Sequence, residues 1–343
     1  MSKPRIVLTG GTGFVGKNLM EKMEEAGFFK KYEIYIPSRN PQKAMESIKK
    51  YTSANNFTLL KLSLLDKDSL KEFLRKIKPF MIIHLAGITK ALKVKDFYLG
   101  NHTATKNLVE SAPEETQFFL YLSSQAASRP GINVKEDEPE SPVSHYGKSK
   151  LLAEKEVEKF RGNWLILRPV SIFGEGDRDF LRAIKIVQSL RINPIIADNR
   201  VSLIYVKDVA SAIIHFSHKL MEGELSGEKV FLTSGYAPTT KELGDLWGDI
   251  LNLKVISVKI PSLLLYAAAL LSTISARIKR KPDVLSIYKV KEMRENWVAS
   301  PEKMLSLGFK PHHFEKESVK EAWNKTIKWY MENGFLKRTI KKK

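Results

Sequence analysis

The stretch that decides the fold is Thr9-Gly10-Gly11-Thr12-Gly13-Phe14-Val15-Gly16. A short apolar run, 6–8, comes before it, and a stretch typical of a helix, 17–26, comes after it. A strand, a glycine turn and a helix N-terminus in this order predict a dinucleotide site, because the free N–H groups and dipole of the helix favour phosphate there. A simple glycine turn is the alternative, and the readable strand and helix on either side argue against it.

Each of the three glycines in this motif has its own task. Gly10 lets the chain reverse tightly, Gly13 lets the backbone approach a pyrophosphate, and Gly16 lets the helix pack closely against the strand. We therefore predict that the cofactor is contacted along this loop, by Gly10, Thr12, Gly13, Phe14, Val15 and Gly16.

The length of 343 residues suits one large domain, or one domain with a smaller partner. The sequence holds no cysteine, which excludes disulfides, thiolate metal sites and cysteine nucleophiles and fits a reducing compartment. Residues 1–8 hold two basic residues, a proline and only a short apolar run, unlike a signal peptide. We expect a cytoplasmic protein without a bound metal.

The formal net charge of +19 comes from 57 basic and 38 acidic residues. Such an excess can indicate a nucleic acid, a membrane surface or an acidic substrate as partner. The lysines are scattered through most of the chain, which favours a lysine-rich surface and argues against a nucleic acid partner. Two basic clusters, residues 277–281 and residues 337–343, are the exceptions.

The end of the second predicted strand, 33–36, bears on the choice of cofactor. In an NAD site an acidic residue at this strand end holds the ribose hydroxyls. This chain has Pro37-Ser38-Arg39-Asn40 there, without a carboxylate. Because a guanidinium pairs with a ribose phosphate, Ser38 and Arg39 predict NADP(H), with NAD as the alternative if Arg39 is an ordinary surface arginine.

Apolar strands alternate with helical stretches through the first half of the chain. Further strands are predicted at 56–62, 80–87, 118–122 and 164–167. The alternation predicts an α/β fold, a Rossmann-type doubly wound parallel sheet, with a smaller C-terminal α/β domain for the substrate. Ligands bind at the carboxyl ends of such strands, where four residues are expected to converge: Gly10, Ala86, Ser124 and Pro169.

Beyond residue 176 the alternation becomes less regular. We predict a dinucleotide-binding domain at 1–176, to which 201–230 return, and a substrate-binding or lid region formed by 177–200 and 231–335. Residues 336–343 form a basic tail. The substrate region is therefore expected to be discontinuous in sequence.

The segment 263–276 is apolar all round and shorter than the about 20 apolar residues that span a membrane. A buried helix that lines the substrate pocket is the favoured interpretation, because short apolar runs are usually core. The alternative is an interfacial helix that takes an apolar substrate from a membrane. In that case 263–281 would contact the membrane, with the basic cluster 277–281 at the headgroups.

Side chains able to act on a substrate follow the fifth strand. Ser123-Ser124 end that strand, and Tyr146-Gly147-Lys148-Ser149-Lys150 opens the next helix. Tyr146 and Lys150 lie four residues apart and so share one face of that helix. On the neighbouring elements we expect His84 to be a hydrogen-bonded core residue and Asn101 to brace the site.

In these motifs the sequence resembles the short-chain dehydrogenase/reductase superfamily, in its extended, epimerase/dehydratase-like branch. Besides the glycine loop, the match rests on motifs in family order: His84-Leu85-Ala86-Gly87, Asn101 with Thr105, Asn107-Leu108, Ser123-Ser124, Tyr146-x-x-x-Lys150, Leu167-Arg168-Pro169, 204–210, and Trp297 followed by Leu307-Gly308-Phe309. The resemblance covers almost the full length of the chain. It implies that Ser124, Tyr146 and Lys150 are catalytic. It also implies further cofactor contacts, from Leu64, Leu85, Ala86, Gly87, Tyr146, Lys150 and Pro169.

The chemistry of these residues supports the implied roles. A free tyrosine has a pKa of about 10, too high for an efficient base at neutral pH. A lysine ammonium one turn away, with the positive nicotinamide of an oxidised cofactor, is expected to lower the pKa of Tyr146. Tyr146 then exchanges a proton with the substrate hydroxyl. Ser124, or Ser123 if the register shifts by one residue, hydrogen-bonds the reacting oxygen.

Two departures from the family pattern narrow the expected function. An aspartate near Ser63 that contacts the adenine in many relatives is missing, and Gln125-Ala126 stand where dehydratases of this branch carry Asp-Glu. We therefore expect an NADP(H)-dependent oxidoreductase for a secondary alcohol or ketone of an apolar substrate. A nucleotide-sugar epimerase with retained NAD is the alternative, and a non-catalytic NADP-sensing scaffold a weaker one. The resemblance implies a homodimer.

Overall fold

The computed structural model describes residues 3–279 and 287–337. The strands are, in chain order, β1 (Arg5–Thr9), β2 (Glu33–Ser38), β3 (Phe57–Lys61), β4 (Met81–His84), β5 (Phe118–Leu122), β6 (Gly131–Val134), β7 (Asn163–Pro169), β8 (Ser171–Phe173), β9 (Ile192–Ile195), β10 (Leu203–Tyr205), β11 (Glu228–Leu232), β12 (Ile256–Lys259) and β13 (Trp297–Ala299). The helices are α1 (Phe14–Glu25), α2 (Phe28–Lys31), α3 (Pro41–Ile48), α4 (Lys67–Ile77), α5 (Val94–Phe97), α6 (Ala104–Ser111), α7 (His145–Val157), α8 (Asp179–Leu190), α9 (Val206–Met221), α10 (Thr240–Leu251), α11 (Ser262–Lys279), α12 (Ile287–Glu292), α13 (Glu302–Ser306) and α14 (Glu315–Glu332). A π-helical segment, Tyr98–Thr103, lies between α5 and α6.

A seven-stranded parallel sheet forms the centre of the molecule, in the order β11-β7-β5-β4-β1-β2-β3. The inner strands are covered on both faces, and Ile6, Val7 and Leu8 in β1 are completely buried. Continuous apolar strands are typical of parallel sheets, whose crossover helices cover both faces. On one side of β1 the sheet continues with β2 and β3. On the other side it continues with β4, β5, β7 and β11, so the chain adds strands at both sides of β1. The predicted doubly wound Rossmann-type fold is therefore confirmed.

Helices cover the two faces of this sheet. On one face α1 packs against α9, and Leu19 and Phe216 are completely buried there. On the other face α4 and α7 contribute Leu70 and Val157 to a separate core. Both layers leave the carboxyl ends of the strands, the ligand end of such a fold, at one edge of the molecule.

A second, smaller core lies beside the sheet. The rings of Phe173, Trp247 and Trp323 are buried in it, and Phe173 and Trp323 stack at a centroid distance of 4.1 Å. The parallel pairs β8–β10 and β9–β12 lie outside the main sheet, and helices α8, α10 and α14 contribute to this core. Thr239 and Glu242 form the expected capping box at the start of α10. α9 and β11 return the chain to the first core, while the boundaries of the two domains stay a prediction.

The apolar segment 263–276 forms most of α11, and the expectation that it lies buried is wrong for most of its side chains. Leu265, Ala269 and Ala276 are buried, whereas Leu263 is 80% exposed and Leu271 67%. The physical reason is that only a narrow strip of the helix is packed, against Val290 of α12 with Ile196 and Ile260 beside it.

No helix within residues 3–279 or 287–337 is both long and apolar enough to cross a bilayer. Residues 280 and 281 of the basic cluster lie outside the described residues, as do residues 338–343 of the basic tail.

Candidate active site

The glycine loop brings the ends of β1 and β4 into contact. Gly10 has a φ of 74°, in the left-handed region, and a Cβ there would lie 2.5 Å from the backbone nitrogen of Ala86. A Cβ on Gly16 would clash with the carbonyl oxygen of Gly10, so both positions require glycine. The loop predicted to contact the cofactor is therefore held directly against Leu85 and Ala86.

The N-terminus of α1 suits an anion. The helix begins at Phe14, earlier than the predicted Lys17, and Gly13 at its N-cap offers no side chain to bond the free N–H groups. No acidic residue lies in the first turn. N–H groups without a side-chain cap and the positive end of the helix dipole fit a pyrophosphate. The residues present thus fit a dinucleotide, with Thr12, Phe14 and Val15 at the helix start.

The turn after β2 presents a guanidinium to solvent. Arg39 is exposed, and the Ser38 Oγ beside it accepts the N–H of Asn40 at 3.2 Å. The Asn40 Oδ1 accepts the N–H of Lys43 at 3.1 Å and so caps α3. These hydrogen bonds hold the turn on both sides of Arg39 and leave its side chain accessible to a ligand.

Several of the predicted site residues lie at the carboxyl ends of four adjacent strands, β7, β5, β4 and β1. Gly10 follows β1, Leu85–Gly87 follow β4, Ser124 follows β5, and Pro169 ends β7. Leu64 lies apart, after β3, where its carbonyl oxygen accepts a hydrogen bond from Asn107 at 3.0 Å. The predicted convergence of Gly10, Ala86, Ser124 and Pro169 therefore follows from the strand order.

The Ser124 side chain lies close enough to the Tyr146 phenol to lower its pKa. The Ser124 Oγ accepts the N–H of Ala126 at 3.2 Å. Ser123 is buried and donates its hydroxyl to the Glu154 carboxylate. Because neighbouring residues of an extended chain point to opposite sides, only one of the two serines reaches Tyr146. The geometry places Ser124, and not Ser123, beside the tyrosine.

Lys150 lies one turn after Tyr146 in α7 and is 4% exposed. Its Nζ donates to the Leu122 carbonyl oxygen at 2.8 Å and lies 4.2 Å from the centre of the Tyr121 ring. Burial disfavours the ammonium and lowers the pKa of Lys150 to about 7, while the Glu154 carboxylate acts in the opposite direction. A lysine in this environment can gain or lose a proton near neutral pH.

The pKa of Tyr146 differs from the expectation drawn from the sequence. Burial of the phenol raises the pKa to about 12, the hydrogen bond with Ser124 lowers it, and the Glu292 carboxylate raises it. Lys150, from which a lowering of this pKa was expected together with the positive nicotinamide of an oxidised cofactor, is not among the causes. Tyr146 is therefore a protonated phenol at neutral pH.

Asn101 ties the chain after β4 to the start of α7. It lies in the π-helical segment Tyr98–Thr103, a local widening that is frequent at functional sites. Its Oδ1 accepts the N–H of Ile88 at 2.8 Å, and its Nδ2 donates to Ser149 Oγ at 2.9 Å. Ser149 in turn donates to the Tyr146 carbonyl oxygen at 2.7 Å. The hydrogen bonds expected of Asn101 are present.

His84 is the hydrogen-bonded core histidine that its sequence context predicts. Its ring is completely buried, with Nδ1 at 2.6 Å from Thr9 Oγ1 and Nε2 at 2.9 Å from Thr105 Oγ1. Thr105 donates its own hydroxyl to the Asn101 carbonyl oxygen, so it accepts from Nε2, and Nδ1 accepts from Thr9. Burial lowers the pKa of His84 to about 3, which keeps the ring neutral.

A buried ion network behind Lys150 was missed by the reasoning from sequence. Arg168 is completely buried and donates to the Glu154 carboxylate through Nε at 3.0 Å and Nη2 at 2.5 Å. Arg168 also contacts Glu140. The available signal was a carboxylate one turn after Lys150 on the same helix and an arginine before Pro169. This two-point pairing holds the end of β7 against α7.

A contact between α7 and α12 was missed as well. The His145 ring, next to Tyr146 in sequence, lies 4.7 Å from the Tyr288 ring in an edge-to-face arrangement. His145 Nδ1 is paired with the Tyr98 hydroxyl at 3.0 Å. Glu292 at the end of α12 is the carboxylate that raises the pKa of Tyr146. α12 is therefore a neighbour of the site, although no local sequence pattern indicates it.

Comparison with known proteins agrees with this geometry. The protein-family model for the NAD dependent epimerase/dehydratase family matches residues 6–228 of this sequence. The chain is 24% identical over 339 residues to ceramide reductase of Caulobacter vibrioides, with 98% of this chain and 97% of that protein covered. It is 25% identical over 356 residues to sterol-4-alpha-carboxylate 3-dehydrogenase, decarboxylating, of Saccharomyces cerevisiae, with 96% of this chain and 98% of that protein covered.

Solved structures share the fold over almost the full length. UDP-glucose 4-epimerase of Thermotoga maritima, solved with UDP-glucose, has a TM-score of 0.73 at 18% identity, covering 96% of this chain and 99% of that chain. WbmG of Bordetella bronchiseptica, in complex with NAD, has a TM-score of 0.73 at 18% identity, covering 97% and 96%. At such identities the likeness establishes the fold alone.

Proposed function

This chain belongs to the NAD dependent epimerase/dehydratase family, and from that premise we propose that it is an NADP(H)-dependent oxidoreductase acting on a secondary alcohol or ketone of an apolar substrate. Membership makes it an NAD(P)-dependent oxidoreductase or epimerase of the extended short-chain dehydrogenase/reductase type. The choice between these two activities, the preferred cofactor and the substrate class belong to the proposal.

The observation that carries the proposal is the Ser124 side chain, after β5, beside the Tyr146 phenol of α7, with Lys150 one turn further along the same helix. The pair lies on the same sheet edge as the glycine loop, whose uncapped helix end fits a pyrophosphate. A proton donor, a second hydrogen-bond donor and a lysine beside a dinucleotide cradle are the groups that hydride transfer to a ketone requires.

A nicotinamide cofactor, held at the glycine loop when bound, would supply the hydride for the carbonyl carbon or take it from the alcohol. Tyr146 donates its proton to the carbonyl oxygen, since burial raises its pKa to about 12 and keeps the phenol protonated at neutral pH. Ser124 donates a hydrogen bond to the same oxygen. Lys150 lies one turn from the Tyr146 phenolate that forms. If its Nζ regains a proton, the resulting ammonium would stabilise the phenolate.

The preference for NADP(H) rests on Ser38 and Arg39 at the end of β2. The exposed guanidinium of Arg39, on a turn fixed by the bond from Asn40 to Ser38, can pair with a ribose phosphate. An NAD site would need a carboxylate at this strand end, and the sequence has none there. NAD is the alternative cofactor.

An apolar substrate is supported by two relatives that span nearly the whole chain and are named for a ceramide and for a sterol carboxylate. The alternative, a nucleotide-sugar epimerase with retained NAD, is supported by the fold shared with a UDP-glucose 4-epimerase. The intact set of Ser124, Tyr146 and Lys150 argues against a non-catalytic NADP sensor. A cytoplasmic location and a homodimer stay predictions.

Ligand-induced melting shifts separate the two substrate classes, because a ligand that binds only the folded state stabilises it by mass action. The purified full chain is melted with NADP⁺ present, against UDP- and dTDP-sugars and against steroids, flavanones and long-chain ketones. We expect a shift with at least one apolar compound and none with the sugars. Mass spectrometry identifies any cofactor that the purified protein retains.

A melting shift with the UDP- or dTDP-sugars and none with the apolar compounds would overturn the oxidoreductase proposal in favour of the epimerase. Tightly held NAD in the purified protein would point the same way, because an epimerase re-reduces its own intermediate. An exchangeable NADP(H) supports the oxidoreductase.

A further inference from the structure

One broad side of α11 is apolar and exposed. Six side chains on it are between 47% and 80% exposed: Leu263, Leu264, Leu270, Leu271, Ile274 and Ile278. With 3.6 residues per turn they share one side of the helix, and the buried Leu265, Ala269 and Ala276 form a narrow strip opposite. The sequence has no acidic residue from Ser262 to Lys279. This helix therefore turns its apolar side outward, the reverse of an ordinary surface helix.

The narrow strip holds α11 on the protein. Leu265 and Ala269 form a buried cluster with Val290 of α12. The guanidinium of Arg294 donates to Ser262 Oγ at the first turn of α11, at 2.7 Å. These contacts keep the opposite, apolar side turned away from the body of the molecule. A contiguous exposed surface of this kind marks an interaction site.

The charge around the helix indicates what covers this surface. From Lys254 to Arg294 the sequence holds nine basic and two acidic residues. Lys259 before α11 and Lys279 at its end are both exposed. Two copies that met through this side would bring like charges together, whereas an anionic surface is complementary to it. The composition therefore favours an anionic lipid bilayer over a second copy of the chain.

The same surface is connected to the active site. Helix α12 packs against α11 through Val290, and it also places Tyr288 against the His145 ring. Glu292 of α12 acts on the pKa of Tyr146. The outward side of α11 is thus separated from the residues around Tyr146 by this one short helix.

We propose that the outward side of α11 inserts into the headgroup region of an anionic bilayer and seats the active site at the membrane surface. The helix lies in the plane of the interface, with its leucine and isoleucine side chains toward the acyl chains and the flanking lysines at the headgroups. An apolar substrate would then pass from the bilayer to Tyr146 without crossing water. The inference adds an interaction surface to the proposed function, and its test needs no turnover.

The test is flotation of the purified full chain with vesicles of phosphatidylcholine and phosphatidylglycerol in equal parts. The parent should float at low salt and less at high salt, because salt screens the lysines. The double variant Leu263→Glu/Leu271→Glu should bind about tenfold more weakly or worse, since it takes two leucines from the interface and adds two negative charges. The control Leu65→Glu/Ile132→Glu makes the same change at exposed residues elsewhere, 49% and 66% exposed, and should float as the parent does.

Each other outcome contradicts the proposal. Equal flotation of the parent and both double variants would mean that the overall +19 charge binds the vesicles and α11 does not. If the parent does not float but sediments as a dimer that Leu263→Glu/Leu271→Glu dissociates, the surface is an interface between copies. Circular dichroism is recorded for all variants to check that they are folded. The variant Tyr146→Phe should float like the parent, so a failed enzymatic assignment and a failed membrane assignment give different results.

Discussion

Replacing Lys150 with methionine tests the electrostatics of the site without substrate or cofactor. Lys150→Met keeps the length and most of the volume of the side chain and removes its titrating group. Burial lowers the pKa of Lys150 from 10.5 to about 7 in the folded protein. The unfolded chain therefore binds more protons than the folded one between these two values, and the stability of the parent rises with pH through that window.

The magnitude follows from the two pKa values. Below about pH 7 the buried ammonium costs the parent its full penalty, on the order of 5 kcal/mol, and above about pH 10.5 the penalty is gone. Between about pH 7 and about pH 9 the parent should gain about 2 kcal/mol of stability relative to the methionine variant. The loss of the hydrogen bond to Leu122 lowers the stability of the variant by a constant amount, so it does not affect this change with pH.

The assay is urea unfolding of parent and variant at several pH values in that window, at constant ionic strength. Lys148→Met is the matched control, because Lys148 is exposed on the same helix. The difference in unfolding free energy between this variant and the parent should not change with pH. The parent's free energy of unfolding, relative to that of Lys150→Met, should rise with pH. If this difference does not change with pH, or falls, Lys150 stays charged in the folded protein and the burial argument is wrong.

Two further predictions concern the reaction and the cofactor. Tyr146→Phe should keep its melting temperature and NADPH affinity but lose turnover by about a hundredfold or more, because it removes the proton donor alone; turnover at the parent rate would show that Tyr146 is not the acid. In fluorescence titrations the parent should bind NADPH more tightly than NADH. Arg39→Ala should reduce that gap by about tenfold or more, since it removes a charge-assisted pair with the phosphate. Lys43→Ala on the adjoining helix turn serves as the comparison, and equal NADPH and NADH affinities in the parent would contradict the assignment.

Local features of the sequence were enough to predict the fold and to select the residues of the candidate site. The glycines at 10 and 16 stand where a Cβ would meet backbone atoms, so the residue type itself reveals the turn. The apolar run Phe118–Leu122 forms β5 with the bounds that its composition predicts. Tyr146 and Lys150 share a helix face because their spacing is one turn. In each case the property depends on a few neighbouring residues, which the sequence displays directly.

Only the tertiary structure decided which of these groups meet and what their surroundings do to them. It placed Ser124 rather than Ser123 beside Tyr146, paired Glu154 with Arg168, and raised the pKa of Tyr146 to about 12 where a lowered value was expected. It also left the apolar side of α11 uncovered among the described residues. Burial and pairing depend on residues far apart in the chain. Hydrophobicity indicates that a segment avoids water, but only the packing of the remaining elements determines which surface, if any, covers it.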